Sequence, residues 1–101
     1  MMYMVSTKLS KPIDDPSYEG FVLAIKALGP WSDRLDATWL VESRMHAGQI
    51  RTLLKAHLAP EDRIFVAQFT GNWAGYNMGK TFPDWIGRRS FERPSKVGDP
   101  R

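Results

Sequence analysis

An α+β fold of the ferredoxin-like type is predicted, and three observations predict it. Strand-like and helix-like segments succeed one another as β-α-β-β-α-β. Two segments, residues 35–42 and 63–70, are apolar on both faces, as buried strands are. Two other stretches carry apolar residues at helical spacing and stop at Gly29-Pro30 and Ala59-Pro60. With right-handed crossovers this order gives a four-stranded antiparallel sheet with both helices on one face. The first and third strands then lie in its middle. A chain of 101 residues fits one such domain with a modest core.

Residues 2–8 are short and apolar and read as the first strand. The stretch from Ser10 to Pro16 holds two prolines and two aspartates and reads as a loop. Asp14 and Asp15 could hold a metal, but the better reading is a helix start, where the dipole favours anions. Tyr18, Phe21, Val22, Ile25 and Leu28 then fall on one helical face. Pro16 suits the beginning of that helix and Gly29-Pro30 its end.

Residues 31–42 are the most strand-like part of the chain. Asp33-Arg34 interrupts them, which predicts two short strands joined by a tight turn at that point. The second of these, residues 35–42, would put Leu35, Ala37, Trp39 and Val41 on one face and Thr38 and Leu40 on the other. A second helix follows. His46 stands at its N-cap, Gln49 three residues on, and Met45 with Ile50 would form a hydrophobic staple. Ile50, Leu53, Leu54 and Leu58 make its apolar stripe, with Arg51 and Lys55 outside.

Residues 63–70 read as a buried strand that ends at Gly71-Asn72. Residues 73–79 are aromatic and glycine-rich, fitting a short edge strand or an ordered loop. Thr81 as cap, Pro83 in the first turn and Asp84 predict a brief helix over residues 82–88. The domain is therefore expected to run over residues 1–92, with a C-terminal extension from about residue 72. Residues 93–101 would form a flexible basic tail. A split βαβ sheet leaves one face bare. The extension or a second copy of the chain would have to cover it.

The composition narrows the function classes. A hydrophobic share of 43% and a charged share of 25% exclude a disordered chain. No run of about 18 apolar residues suits a membrane span. The first residues lack the basic and then apolar pattern of a secretory signal, so a cytoplasmic protein is expected. With no cysteine there are no disulfides, no thiol catalysis and no cysteine metal site. The net charge is +3. Residues 1–79 carry eight basic and eight acidic side chains, so the excess lies in the last 22 residues. Such an end could touch phosphates or an acidic partner, or serve only as a solubilising terminus.

Few residues carry chemistry. His46 and His57 are eleven apart, about 16 Å along a helix, too far to share a metal. The segment Gly71-Asn72-Trp73-Ala74-Gly75 lacks the lysine of a phosphate-binding loop. Trp73 and Tyr76 beside Lys80 would make a base-stacking surface if exposed, and Trp85 with Arg88 and Arg89 repeats the pairing. The competing reading buries Trp73, Phe82 and Trp85 as core under the extension.

The first strand, the helix ending Ala27-Leu28-Gly29, the strand Leu35-Asp36-Ala37-Thr38-Trp39-Leu40-Val41, the helix Gln49-Ile50-Arg51-Thr52-Leu53-Leu54 and the segment Asp62-Arg63-Ile64-Phe65-Val66-Ala67 carry a resemblance. Over about residues 2–71 the chain resembles small bacterial proteins described as SinR-like. These are similar to the small CRISPR-associated endoribonuclease family, the dimeric partner of the CRISPR integrase, and to the virulence-associated D ribonucleases. The resemblance implies a ferredoxin-like protomer and a homodimer whose sheets face each other. In the CRISPR family an Asp near the end of the first strand is the proposed metal-binding or catalytic residue. Here the matching stretch reads Val5-Ser6-Thr7-Lys8, and no carboxylate precedes Asp14. A hard cation would lack its fixed oxygen ligand. No catalytic residue, metal or cofactor is therefore expected, and Ser6 and Thr7 remain as groups able to hydrogen-bond phosphate.

The expected function is a non-catalytic, homodimeric interaction module in a nucleic-acid-related process of the defence or toxin type. Its candidate contacts to RNA or DNA are Ser6, Thr7, Trp73, Tyr76, Lys80, Arg88 and Arg89. Two alternatives stand beside it: a divergent metal-dependent ribonuclease and a purely protein-binding structural dimer.

Overall fold

The computed structural model describes residues 1–91, so the expected tail at 93–101 lies outside the described residues. The elements are β1 (Met2–Lys8), a 3-10 turn (Pro16–Tyr18), α1 (Glu19–Leu28), β2 (Trp31–Leu35), β3 (Thr38–Glu42), α2 (Ala47–Lys55), β4 (Arg63–Phe69) and α3 (Phe82–Gly87). The four strands form one antiparallel sheet in the order β2-β3-β1-β4, with the first and third strands in the middle. This is the α+β ferredoxin-like sandwich that the element order predicts. Among the described residues no helix is long and apolar enough to cross a membrane.

The main core lies between the sheet and α1 and α2. Tyr3, Val5, Trp39 and Val41 from the sheet meet Phe21 and Ile25 of α1 and Ile50 and Leu54 of α2. The start of α1 is built as the aspartates suggest. The Asp15 carboxylate accepts from the Ser17 N–H at 2.9 Å and the Ser17 hydroxyl at 2.7 Å, capping the 3-10 turn. Those bonds hold its carboxyl below the usual carboxylate pKa. Gly29 ends the helix in a conformation with φ 154°, where a Cβ would run into the Glu42 carbonyl.

The hairpin differs from its expectation. The turn falls at Asp36-Ala37, and Asp33-Arg34 lie inside β2 as a bulge. Ser32 stands opposite Leu40 and Leu35 opposite Thr38, so two residues of β2 face Trp39 alone. A one-residue insertion flips every side chain beyond it. Leu35 therefore sides with Thr38 and Leu40 instead of Trp39 and Val41, and is 43% exposed.

At α2 the His46 N–H donates to Gln49 Oε1 at 2.8 Å, the expected reciprocal cap. Met45, the residue expected to staple Ile50, is 37% exposed, and its carbonyl accepts the Tyr3 hydroxyl at 2.6 Å. Ile50 and Leu54 carry the buried stripe, whereas Leu53 is exposed. The turn into β4 is tied by Asp62. Its carboxylate accepts from the Ser10 N–H at 2.8 Å, the Ser10 hydroxyl at 2.9 Å, the Ala59 N–H at 2.8 Å and the Tyr18 hydroxyl at 2.9 Å.

β4 is an edge strand and is not buried along its length as expected. Among the described residues, only its Phe69 end is covered on the second face. There α3 and the residues around it pack on the chain's own sheet, with Met2, Phe82 and Ile86 buried and Leu40, Phe69, Met78, Trp85 and Phe91 around them. Residues 73–79 form a loop, with no strand. Thr81 precedes α3 without capping it by its side chain.

Candidate nucleic-acid interface

Strand pleating sorts the candidates before any distance does. Successive side chains alternate between faces. On β1, Tyr3 and Val5 enter the helix-side core, so Thr7 points to that side and Ser6 to the other. Their hydroxyls are also engaged differently. Ser6 Oγ and Thr38 Oγ1 lie 3.1 Å apart across the strands, while Thr7 Oγ1 donates to the Ala37 carbonyl at 3.2 Å. The two residues do not form one site.

Trp73 and Lys80 come together at one cavity on the loop between β4 and α3, and Tyr76 stands on the same loop outside that cavity's lining. Trp73 is 41% exposed and meets Phe82 edge-on at 6.0 Å between ring centroids. Tyr76 is 91% exposed. Lys80 is exposed, and with Trp73, Asn77 and Met78 it lines a cavity of about 470 Å³. Trp73, Met78 and Phe82 form its wall against a second, apolar groove of about 340 Å³ that also meets Met4, Leu35 and Leu40.

The loop is held in place by the bulge. Two versus one residues re-aim the bulged strand, and Arg34 reaches the extension, where its Nη2 donates to Thr81 Oγ1 at 2.8 Å. Gly79 adopts φ 102° beneath it, and a Cβ there would stand 2.6 Å from the Arg34 guanidinium. Asn77, at φ 60°, turns the chain just before.

Arg88 and Arg89 have unlike roles. Arg88 is exposed. Arg89 lies 3.6 Å from Glu42, donates through Nε to the Trp85 carbonyl at 3.0 Å and sits 5.1 Å from the Trp85 ring centre. With its side chain 12% exposed, it fastens α3 to β3. Phe82 is core, Trp85 half-buried and Trp73 outside, so the alternative of three buried aromatics holds fully for Phe82 alone.

Three residues outside the candidate contacts, Lys8, Arg63 and Phe65, lie on the same face as Ser6. Register places Phe65 opposite Ser6, and Arg63 opposite Lys8. With Leu35 opposite Thr38 and Thr38 opposite Ser6, one row across the sheet reads Leu35, Thr38, Ser6, Phe65. Phe65 is 64% exposed. Among the described residues no ion pair involves Lys8 or Arg63. Parity along the first and last strands was the signal for this group. Treating residues 63–70 as buried on both faces concealed it.

Among the described residues, no cluster of three or more His, Asp or Glu could hold a metal ion. His46 stands before α2, and His57 lies beyond its end against Gly20 of α1. Comparison with family models, with curated proteins and with solved structures finds no match to this chain.

Proposed function

We propose that the protein is a nucleic-acid-binding interaction module. The observation that carries this reading is the pinned loop on which exposed Trp73 shares a cavity with Lys80 and Tyr76 stands exposed in the same segment. Exposed aromatic rings stack on bases, and a nearby cation meets the phosphate; together they give sequence-tolerant, salt-dependent binding. The resemblance to SinR-like and small CRISPR-associated proteins supports a place in a defence or toxin-type process. The test is a gel-shift titration with short RNA and DNA at low and moderate salt. Binding that weakens with salt, and weakens further in Tyr76→Ala and Lys80→Ala, is expected. The absence of any shift at low salt would end the reading.

A second reading is a homodimer that meets through the bare end of the sheet. Leu35 and Phe65, both exposed on that face, favour it. The mass in solution, measured with the ratio of absorbance at nucleic-acid and protein wavelengths, separates the two.

A further inference from the structure

The second face of the sheet is divided. α3 covers the end that holds Met2 and Phe69. Among the described residues no helix covers the other end, beyond Met4. There Phe65 stands 64% exposed, flanked across the register by the Ser6–Thr38 hydroxyl pair. Two residues further along the same strands, about 7 Å by strand geometry, Lys8 and Arg63 face each other as direct cross-strand neighbours. Like charges placed so repel. Among the described residues no carboxylate forms an ion pair with either of them.

We infer that this open end of the sheet is a binding site for single-stranded nucleic acid, with a base stacked on Phe65 and its phosphate between Lys8 and Arg63. The inference rests on the nucleic-acid reading above and moves its contacts from the loop to the sheet. Charge complementarity decides the occupant. An anion removes the repulsion between the two cations, whereas an apolar partner would leave it in place. The aromatic ring decides the strandedness. The exposed ring of Phe65 can meet the face of an unpaired base, and in a duplex that face is already stacked. The Ser6 hydroxyl stands across the register from the ring, with the Thr38 hydroxyl one strand beyond it, as polar groups for sugar or phosphate oxygens.

The test is fluorescence anisotropy of labelled single-stranded RNA, single-stranded DNA and the matching duplex against the whole chain. Phe65→Ala should weaken single-strand binding about tenfold, and Phe65→Tyr should restore it. Lys8→Ala with Arg63→Ala should flatten the salt dependence by about two units of slope. All three residues are exposed, so the core is untouched. The two single-stranded arms show which sugar the hydroxyl pair prefers, and tight binding in either supports the site. A duplex bound as tightly as the single strand overturns the inference. If Tyr76→Ala and Lys80→Ala weaken binding while Phe65→Ala does not, the site fails and the functional reading stands. No binding by any strand ends both. A Phe65→Ala chain that changes only its mass in solution assigns this face to a second copy and overturns the site.

Discussion

Arg34 and Thr81 are joined by a 2.8 Å hydrogen bond across 47 residues of sequence, and this bond ties the bulge of β2 to the loop that carries Trp73 and Tyr76. The bond is exposed, so its worth to global stability is about 1 kcal/mol or less. Its effect should be local. Arg34→Ala should leave the melting temperature nearly unchanged while hydrogen exchange and proteolysis accelerate within residues 72–81. Unchanged exchange in that loop would mean that Arg34 does not hold it.

Asp62 should give the fold its steepest acid dependence. Desolvation opposes ionisation, but bonds from the Ser10 and Ala59 N–H groups and the Ser10 and Tyr18 hydroxyls outweigh it and hold the carboxyl at about 2, below its ordinary 3.8. A depressed carboxyl stabilises the fold while ionised. The contribution is complete above the unfolded value and is lost as pH falls from about 4 towards 2. Asp62→Asn should therefore lower stability at neutral pH and flatten the decline in melting temperature between pH 5 and pH 2. Parallel pH profiles for the two chains would refute the assignment.

Ile86 measures the cover on the second face. It is buried with Met2 and Phe82 in a cluster separate from the main core. Ile86→Ala should cost about 2 kcal/mol, the lower end for such truncations, since the adjoining groove allows partial collapse. For a domain of this size that is roughly 10 °C in melting temperature. Dye binding to exposed apolar surface should rise with it, because Met2 and Leu40 lose part of their cover.

Gly29→Ala places a Cβ against the Glu42 carbonyl in a conformation that L side chains rarely adopt. The added methyl must displace the start of β2 from the end of β3, where the Glu42 N–H donates to the Pro30 carbonyl at 2.9 Å. A loss of more than about 1 kcal/mol by urea denaturation is expected. A neutral result would show that the α1–β2 turn can shift freely.

Much of this architecture was legible in the residues themselves. Tyr18, Phe21 and Ile25 announce the helical segment; Phe21 and Ile25 are the buried positions of α1, and Tyr18 is buried in the 3-10 turn before it. The segment that begins β2 was misread because a bulge and a tight turn send the same signal. Each puts polar residues between apolar ones, and Asp36-Ala37 lacks the glycine or asparagine that would mark the true turn. At Leu35 a single inserted residue reversed the face, a consequence that only register reveals. The loop site was visible as Trp73, Tyr76 and Lys80, because exposed aromatics near a cation are a compositional pattern. The role of Arg89 was not visible, because its partner Glu42 lies on another element 47 positions earlier. Phe65 was hidden for a topological reason: β4 is flanked on one side only, and α3 stops short of it.

The second cluster has a further consequence for the growing chain. Met2, Leu40 and Phe69 have all been made once β4 is complete, yet the side chains that shelter them, Phe82 and Ile86, come later. At ribosomal rates the gap is about 1–4 s. During that interval the nascent polypeptide displays an oily patch with nothing of its own to lay across it, so crowding by neighbouring polysomes should matter more for this protein's yield than the modest size of its finished core suggests.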